Sequence, residues 1–411
     1  QFDRMQEDPY AFMRGTMPQY RRDVAQPFEV NADTQFLTTE SSRIQLVGDP
    51  HIENIGTYQN RAGDIVVEFN DFDSAIYGPY HIDVWRLALS WYAFGLSTTF
   101  TKTDEQDWIA AGEQVARGYA DEILAMAQGL ETPALDESAV IADLLEEAEE
   151  DGDEQAELEE FTLVEGDGAR HFDIGNPQLR TLSAPTLAWI GESIPAWQQV
   201  LPNEGRELGA LKGASQRLGS GVASLFLQRY YLLFEGQTES LEDDLLIEWK
   251  ETRDPFLVGT GLVEAGRLFE SNAQRIVVLQ RRAHEDPVTD HYSGRLGEEP
   301  WSFRSRHNSG FHQGIGRSRI ERRLRDGRWG TGELAHAGYA TGQLLARTHT
   351  RPETMDGRSA LDSIAAALDG RVDDFVAEAR ERVALMGPQL ETDFRLFGLL
   401  RQKHGPTLVS P

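Results

Sequence analysis

The chain has 411 residues, 40% of them hydrophobic and 26% charged, enough to bury a substantial core in two or three units. Its 68 acidic side chains against 39 basic ones give a formal charge of −29, a surface that repels nucleic-acid backbone and anionic membranes, so neither is an expected partner. There is no cysteine, which excludes disulfides, thiolate metal sites and cysteine nucleophiles.

No apolar run approaches the roughly 20 residues that span a bilayer. The first residues, Gln1-Phe2-Asp3-Arg4, have no signal-peptide character, so a cytoplasmic location is expected. Residues 1–130 read as compact and mixed. A strand-like Ile44-Gln45-Leu46-Val47 runs into Gly48-Asp49-Pro50-His51, and a second strand, 64–69, runs into Asn70-Asp71-Phe72-Asp73. Two short strands that each end in acids suggest a site built at strand ends. Residues 83–96 read as a helix rich in Trp, Leu and Ala. Between Ala139 and Glu160 stand eleven acids and no Lys or Arg, the pattern of a solvated helix or linker. From Gly213 a glycine-rich hairpin, Arg217-Leu218-Gly219-Ser220-Gly221-Val222-Ala223-Ser224, leads through an apolar run to a strand at 245–250 that carries Lys250. Helical periodicity returns at 261–282, 333–348 and 360–399, and no internal repeat is present.

The first group with chemical content is Gly48-Asp49-Pro50-His51-Ile52-Glu53-Asn54 followed by Asn70-Asp71-Phe72-Asp73. Mg²⁺ takes hard oxygen donors and keeps several waters, so one Asp and one Asn suffice as protein ligands. Phosphoryl transfer needs such a pair, plus a carboxylate that orients or deprotonates the attacking hydroxyl. Asp49 suits the carboxylate role, and Asn54 and Asp71 suit the metal; the five-position spacing of Asp49 and Asn54 resembles that of a kinase catalytic loop. Asp73 either adds an oxygen or caps the turn, and His51 reads as a prop for the loop. Each residue alone has an ordinary explanation as a turn former, but the ordered set does not.

The second group is Gly219, Gly221 and Ser224 in the hairpin with Lys250 on the following strand. Glycines let backbone N–H groups approach phosphates, and the lysine adds a positive charge. By themselves a glycine-rich turn and an edge lysine are common. Glu270 is a candidate to orient Lys250, Glu264 competes for the role, and solvated positions are the plainer alternative. The third group, Gly338 through His349, ends in Leu345-Ala346-Arg347-Thr348-His349 and reads by itself as an amphipathic core helix.

The three groups together resemble kinases of the aminoglycoside-phosphotransferase type. There the glycine loop, lysine strand and Leu-Ala-x-x-His helix precede the catalytic loop; here the catalytic loop comes first, one cyclic rotation of the same list. Over most of its length, the acidic stretch excepted, the chain also resembles the bacterial domain-of-unknown-function family twenty-two fifty-two, itself similar to the protein-kinase-like superfamily. The residues that carry this are Phe12-Met13-Arg14-Gly15, Gly48-Asp49-x-His51-x-x-Asn54-x-Gly56, Asn70-Asp71-Phe72-Asp73, Gly78-Pro79, Asp83, the 217–224 stretch, Lys250-Glu251 and Leu345-Ala346-Arg347-x-His349.

The resemblance implies a two-lobed α+β kinase-like fold, circularly permuted. Residues 1–130 would hold the catalytic loop and metal site, 131–206 an acidic insert or linker with helices, 207–305 the nucleotide lobe, and 306–411 helices completing the helical lobe. It implies ATP and Mg²⁺ as cofactors and a small-molecule or protein acceptor of unknown identity. Asp83 would brace the catalytic loop, while Arg14 and Arg304 are candidates for phosphate or substrate contacts, surface salt bridges being the duller reading. The chain departs from the pattern at Val47, where many such kinases have His, and at Phe226, where a further glycine would be comfortable.

Three rivals stay open at this level. A metallophosphoesterase would use the Asp-x-His of Asp49-Pro50-His51 with further Asp ligands, but would leave Lys250 and the hairpin idle. A non-catalytic pseudokinase would keep the same residues. The same fold could also transfer AMP instead of phosphate.

Overall fold

The computed structural model describes residues 2–25, 33–60, 62–98, 105–150, 152, 155–166, 168–202, 208–219, 226–238, 240–263, 268–284, 291–307 and 311–405. The architecture is α+β. In chain order, three short helices, α1 (Phe2–Met5), α2 (Pro9–Gly15) and α3 (Met17–Ala25), precede β1 (Ile44–Leu46), β2 (Ile55–Gln59), β3 (Ile65–Phe69) and β4 (Ile76–Gly78). Then come α4 (His81–Ser97), α5 (Glu105–Ala127), α6 (Ala139–Glu150), α7 (Ala156–Phe161), β5 (Thr162–Val164), β6 (Arg170–Phe172), β7 (Leu179–Thr181) and α8 (Ala184–Val200). The hairpin strands β8 (Leu211–Arg217) and β9 (Arg229–Phe234) lead to β10 (Leu245–Glu251), α9 (Asn272–Ala283), β11 (Gly294–Leu296) and β12 (Phe303–His307). Four helices close the chain: α10 (Arg317–Arg325), α11 (Thr331–Thr350), α12 (Ala360–Leu368) and α13 (Val372–His404).

Six strands form one antiparallel sheet in the order β11-β12-β10-β9-β8-β7. Side chains alternate across a strand, and β10 shows the consequence. Ile247 and Trp249 face a core made with Ile190 and Trp197 of α8 and Phe303 of β12. On the other face Leu246 packs with Leu233, Leu158 and Phe161, whereas Glu248 and Lys250 further along the same face are buried charges. That face is thus apolar at one end and ionic at the other.

The larger core gathers α2 to α6 and α11 to α13 around Trp85, Trp91, Tyr119, Leu344 and Leu345. Glycine decides the closest approach in it. A Cβ on Gly342 of α11 would lie 2.1 Å from the Val115 carbonyl oxygen of α5, so the glycines of the 338–349 segment let two helix backbones touch.

The acidic stretch is not a free linker. Val140, Ile141 and Leu144 of α6 belong to the large core, while Asp143 and Glu147 on another face pair with Arg319 and Arg323 of the Arg-rich α10. Burying an apolar stripe and neutralising the acids opposite it lets a strongly acidic helix pack. Within the same 131–206 stretch, β7 extends the six-stranded sheet and α8 covers one face of it. The helix expected over 261–282 is shorter: turns precede Ser271, whose side chain caps α9 at Asn272.

Candidate functional site

The site begins where β1 ends. Gly48 has φ +87°, and a Cβ there would lie 2.0 Å from the Ser74 carbonyl oxygen, so only glycine makes this turn. The turn is anchored from below: Val47 N donates to Asp83 Oδ2 at 2.7 Å and Gly48 N at 3.2 Å. Asp83, in the first turn of α4, is fully buried and also meets His349 Nε2 at 3.2 Å. His349 Nδ1 in turn lies 2.9 Å from the Tyr119 hydroxyl. The Leu-Ala-x-x-His segment at the end of α11 therefore sits beneath the Gly48-Asp49 turn.

Asp49 is next. Arg86, one helical turn beyond Asp83 on α4, donates from Nε to Asp49 Oδ1 at 2.9 Å and from Nη2 to the Met13 carbonyl at 3.0 Å. No described residue donates to Asp49 Oδ2, and the carboxylate retains some solvent contact. Burial pushes the Asp49 carboxyl above its ordinary value, Arg86 and Arg14 oppose that, and nearby Asp71 adds to it. His51 is buried against Tyr10, its Nδ1 3.4 Å from the hydroxyl, and burial holds it neutral. Arg14 pairs with Glu53.

Asn54 ties the two strand-end loops together, donating from Nδ2 to the Asp49 carbonyl at 3.3 Å and to the Asp71 carbonyl at 3.0 Å. Its Oδ1 is buried with no hydrogen-bond partner. An orphaned buried carbonyl oxygen costs free energy unless something binds it. A hard cation would supply that partner, and Asp71, whose main-chain carbonyl Asn54 Nδ2 binds, carries a carboxylate in the same loop. Among the described residues, no group of three or more His, Asp or Glu side chains is placed to hold a metal ion.

Asp73 lies differently from Asp71. Both its oxygens are taken by the sheet, Oδ2 by Lys250 Nζ and Oδ1 by Arg304 Nε at 3.1 Å. Burial alone would raise the Asp73 carboxyl, but Lys250 and Arg304 outweigh it and hold it well below the usual range. Burial lowers the Lys250 ammonium against the pull of Asp73 and Asp71. Arg275 of α9 fixes the turn itself, donating to the carbonyls of Asp73 at 2.9 Å and of Ala75.

Beyond Lys250 the ionic end of the sheet continues. Glu248 accepts from Arg229 at 2.8 Å and Arg306 at 3.0 Å, with Arg304 Nη1 at 3.8 Å. Burial raises its carboxyl, but the three arginines outweigh this and lower it strongly.

Glu270 must be corrected. It pairs with Arg295 of β11 on the exposed surface, before α9 begins, and Asp73 takes the place at Lys250 that Glu270 was expected to fill. The reason is topological: Lys250 points across the sheet face toward the 70–75 loop. Glu264, Gly221 and Ser224 lie outside the described residues. Gly219 lies two residues past β8 at φ +75°, Phe226 is exposed three residues before β9, and β8 and β9 pair antiparallel, β9 lying beside Lys250's strand.

Sequence reasoning missed Arg86, although a lone Arg within Val84-Trp85-Arg86-Leu87-Ala88 was a signal: a charge in so apolar a helix needs a buried partner. It also missed the cluster of Glu248, Arg229 and Arg306, which only strand register brings together.

No curated protein and no solved structure matches the chain. Residues 1–398 match the bacterial family DUF2252, described as an uncharacterized protein conserved in bacteria, and the chain belongs to that family.

Proposed function

We propose that the protein is an ATP- and Mg²⁺-dependent kinase-like phosphotransferase acting on a hydroxyl acceptor, with a two-lobed, circularly permuted kinase-like fold. The observation that carries this reading is the convergence of two parts distant in sequence. Asp49, Asn54 and Asp71 gather at strand ends, and across from them the β10 and β12 cations Lys250 and Arg304 reach into the same loop. The position of His349 under the Gly48 turn supports the rotated order of segments.

In this reading Asp49 Oδ2 takes the acceptor proton while Arg86 pins Oδ1 and fixes the carboxylate's direction. The acceptor oxygen forms a bond to the γ-phosphorus, and the bond from that phosphorus to the β,γ-bridging oxygen breaks, leaving ADP. Asn54 Oδ1 and Asp71 would hold Mg²⁺, which supplies charge neutralisation at the phosphates. Lys250 contributes a fixed cation in a buried setting, where its charge acts more strongly than in water.

The test is the fate of ATP. Incubation with Mg²⁺ and a panel of hydroxyl compounds should release ADP, and Asp71→Asn should abolish it. AMP as the product would move the reading to nucleotidyl transfer. Nucleotide binding without turnover across the panel would favour a pseudokinase, and no binding at all would contradict the reading.

A further inference from the structure

Arg275, which holds the turn carrying Asp73, also lines a cavity of about 330 Å³ that the proposed reaction does not use. That volume lies at the lower end of the range for small-molecule pockets. Ile76, Val258, Leu268, Phe269 and Met355 form much of its wall. Val258 and Leu268 are 39% and 56% exposed, and Ile76, Phe269 and Met355 are only partly buried against the large core. The chain thus leaves apolar surface uncovered around the cavity.

The polar part of the lining gathers on Asn272, the first residue of α9. Its main-chain N donates to Glu299 Oε1 at 2.7 Å and its Nδ2 to Asp254 Oδ1 at 3.0 Å, so one residue fixes two carboxylates. Ser302 Oγ adds a bond to the same Glu299 oxygen at 3.3 Å. Asp254 Oδ2 and Glu299 Oε2 accept no hydrogen bond from the described residues. Arg275, the cation in the same lining, donates to neither carboxylate. Its Nε binds Asn272 Oδ1, and its Nη groups bind the carbonyls of Asp73, Ala75 and Arg253.

We infer that this cavity is a binding site for a small organic amine with an apolar body. Ionised carboxylates only accept hydrogen bonds, and an ammonium brings three donors whose bonds to carboxylate are charge-assisted. A hydroxyl brings one donor, an ionised carboxylate brings none, and the chain's net charge of −29 disfavours an anion. The apolar wall takes the rest of the molecule, with the two open oxygens fixing its direction. Because Arg275 also holds the carbonyls of Asp73 and Ala75, occupancy bears on the turn that presents Asp73 to Lys250. The inference is independent of the proposed reaction.

The experiment is an NMR titration of the full chain, without nucleotide or metal, with three probes of one shape: phenethylamine, phenethyl alcohol and phenylacetate. The amine should bind at least about tenfold more tightly than the alcohol, the scale of one charge-assisted hydrogen bond, and phenylacetate should not bind. Asp254→Asn and Glu299→Gln should each weaken the amine by a similar factor and leave the alcohol unchanged, whereas Val258→Trp should weaken both. Amine affinity unchanged in both carboxylate variants would mean attachment to the acidic surface at large and would overturn the inference. So would phenylacetate binding as tightly as the amine, or no amine binding at millimolar concentration. If Glu299→Gln does not fold, Asp254→Asn, at an exposed position, carries the test.

Discussion

His349 and Asp83 are separated by 266 positions and meet at 3.2 Å between Nε2 and Oδ2, both side chains fully buried. The contact joins the end of α11 to the start of α4 directly under the Gly48-Asp49 turn. Asp83→Ala would leave the Val47 and Gly48 amides and His349 without their acceptor, and should cost about 3–5 kcal/mol in urea unfolding. Asp83→Asn keeps one acceptor oxygen and should cost about 1–3 kcal/mol. An Ala variant as stable as wild type would contradict this arrangement.

The Asp49 carboxyl works as a base only when ionised. Burial raises its pKa above the ordinary 3.8 and Arg86 opposes the rise. The rate of nucleotide turnover should therefore fall as pH drops through a value above 3.8. In Arg86→Gln, with that opposing charge gone, the acid limb should move to higher pH; Arg86→Lys should return it part of the way. A pH profile unchanged in Arg86→Gln would separate Asp49 from the rate-limiting proton transfer.

Gly48→Ala is expected to be severe. The residue would have to hold φ +87° and place a Cβ 2.0 Å from the Ser74 carbonyl oxygen. Strain at positive φ is on the order of 1–3 kcal/mol before the clash is counted, so a loss of at least about 3 kcal/mol should appear in chemical denaturation. A loss under about 1 kcal/mol would mean the turn relaxes freely.

Stability should depend on Asp73 and Glu248 at acid pH. Their pKa values in the folded chain lie below the ordinary values of 3.8 and 4.5. The unfolded chain therefore takes up protons first as pH falls. The stabilisation from both groups is complete above those values and fades through the range from about pH 5 downward. Urea midpoints should fall across that range, and the fall should be shallower in Asp73→Asn. An equally steep fall in that variant would assign the acid sensitivity to other carboxylates.

Much of this arrangement was legible in the sequence where chemistry and local pattern coincide. The strands before Gly48 and Asn70, the helix over 83–96 within α4, the Lys250 strand and α11 all follow from periodicity bounded by turn residues. The order of Asp49, Asn54 and Asp71 marked the strand-end loops. What stayed hidden depends on register and on distant packing. Nothing local distinguishes Asp73 from Asp71, yet it is Asp73 whose carboxylate pairs with Lys250 and Arg304 of the sheet. The opposition of Lys250 to Arg304 and Arg229 exists only once three strands are paired. Glu270 looked well spaced along the chain, but the turns before α9 carry it to Arg295. The acidic α6 reads as a solvated segment from sequence because its partners, the arginines of α10, lie far along the chain.

Thermal unfolding with ligand is the most direct test for the proposed Mg·ATP site between the strand-end loops and the β10–β12 cations. At a hundred times its dissociation constant, a ligand adds about 2.7 kcal/mol of stability. The unfolding temperature should rise by an amount that requires ATP and Mg²⁺ together for its full size, shrinks with AMP, and disappears in Lys250→Met. An unfolding temperature unmoved by ATP with Mg²⁺, in wild-type protein that is otherwise folded, would contradict it.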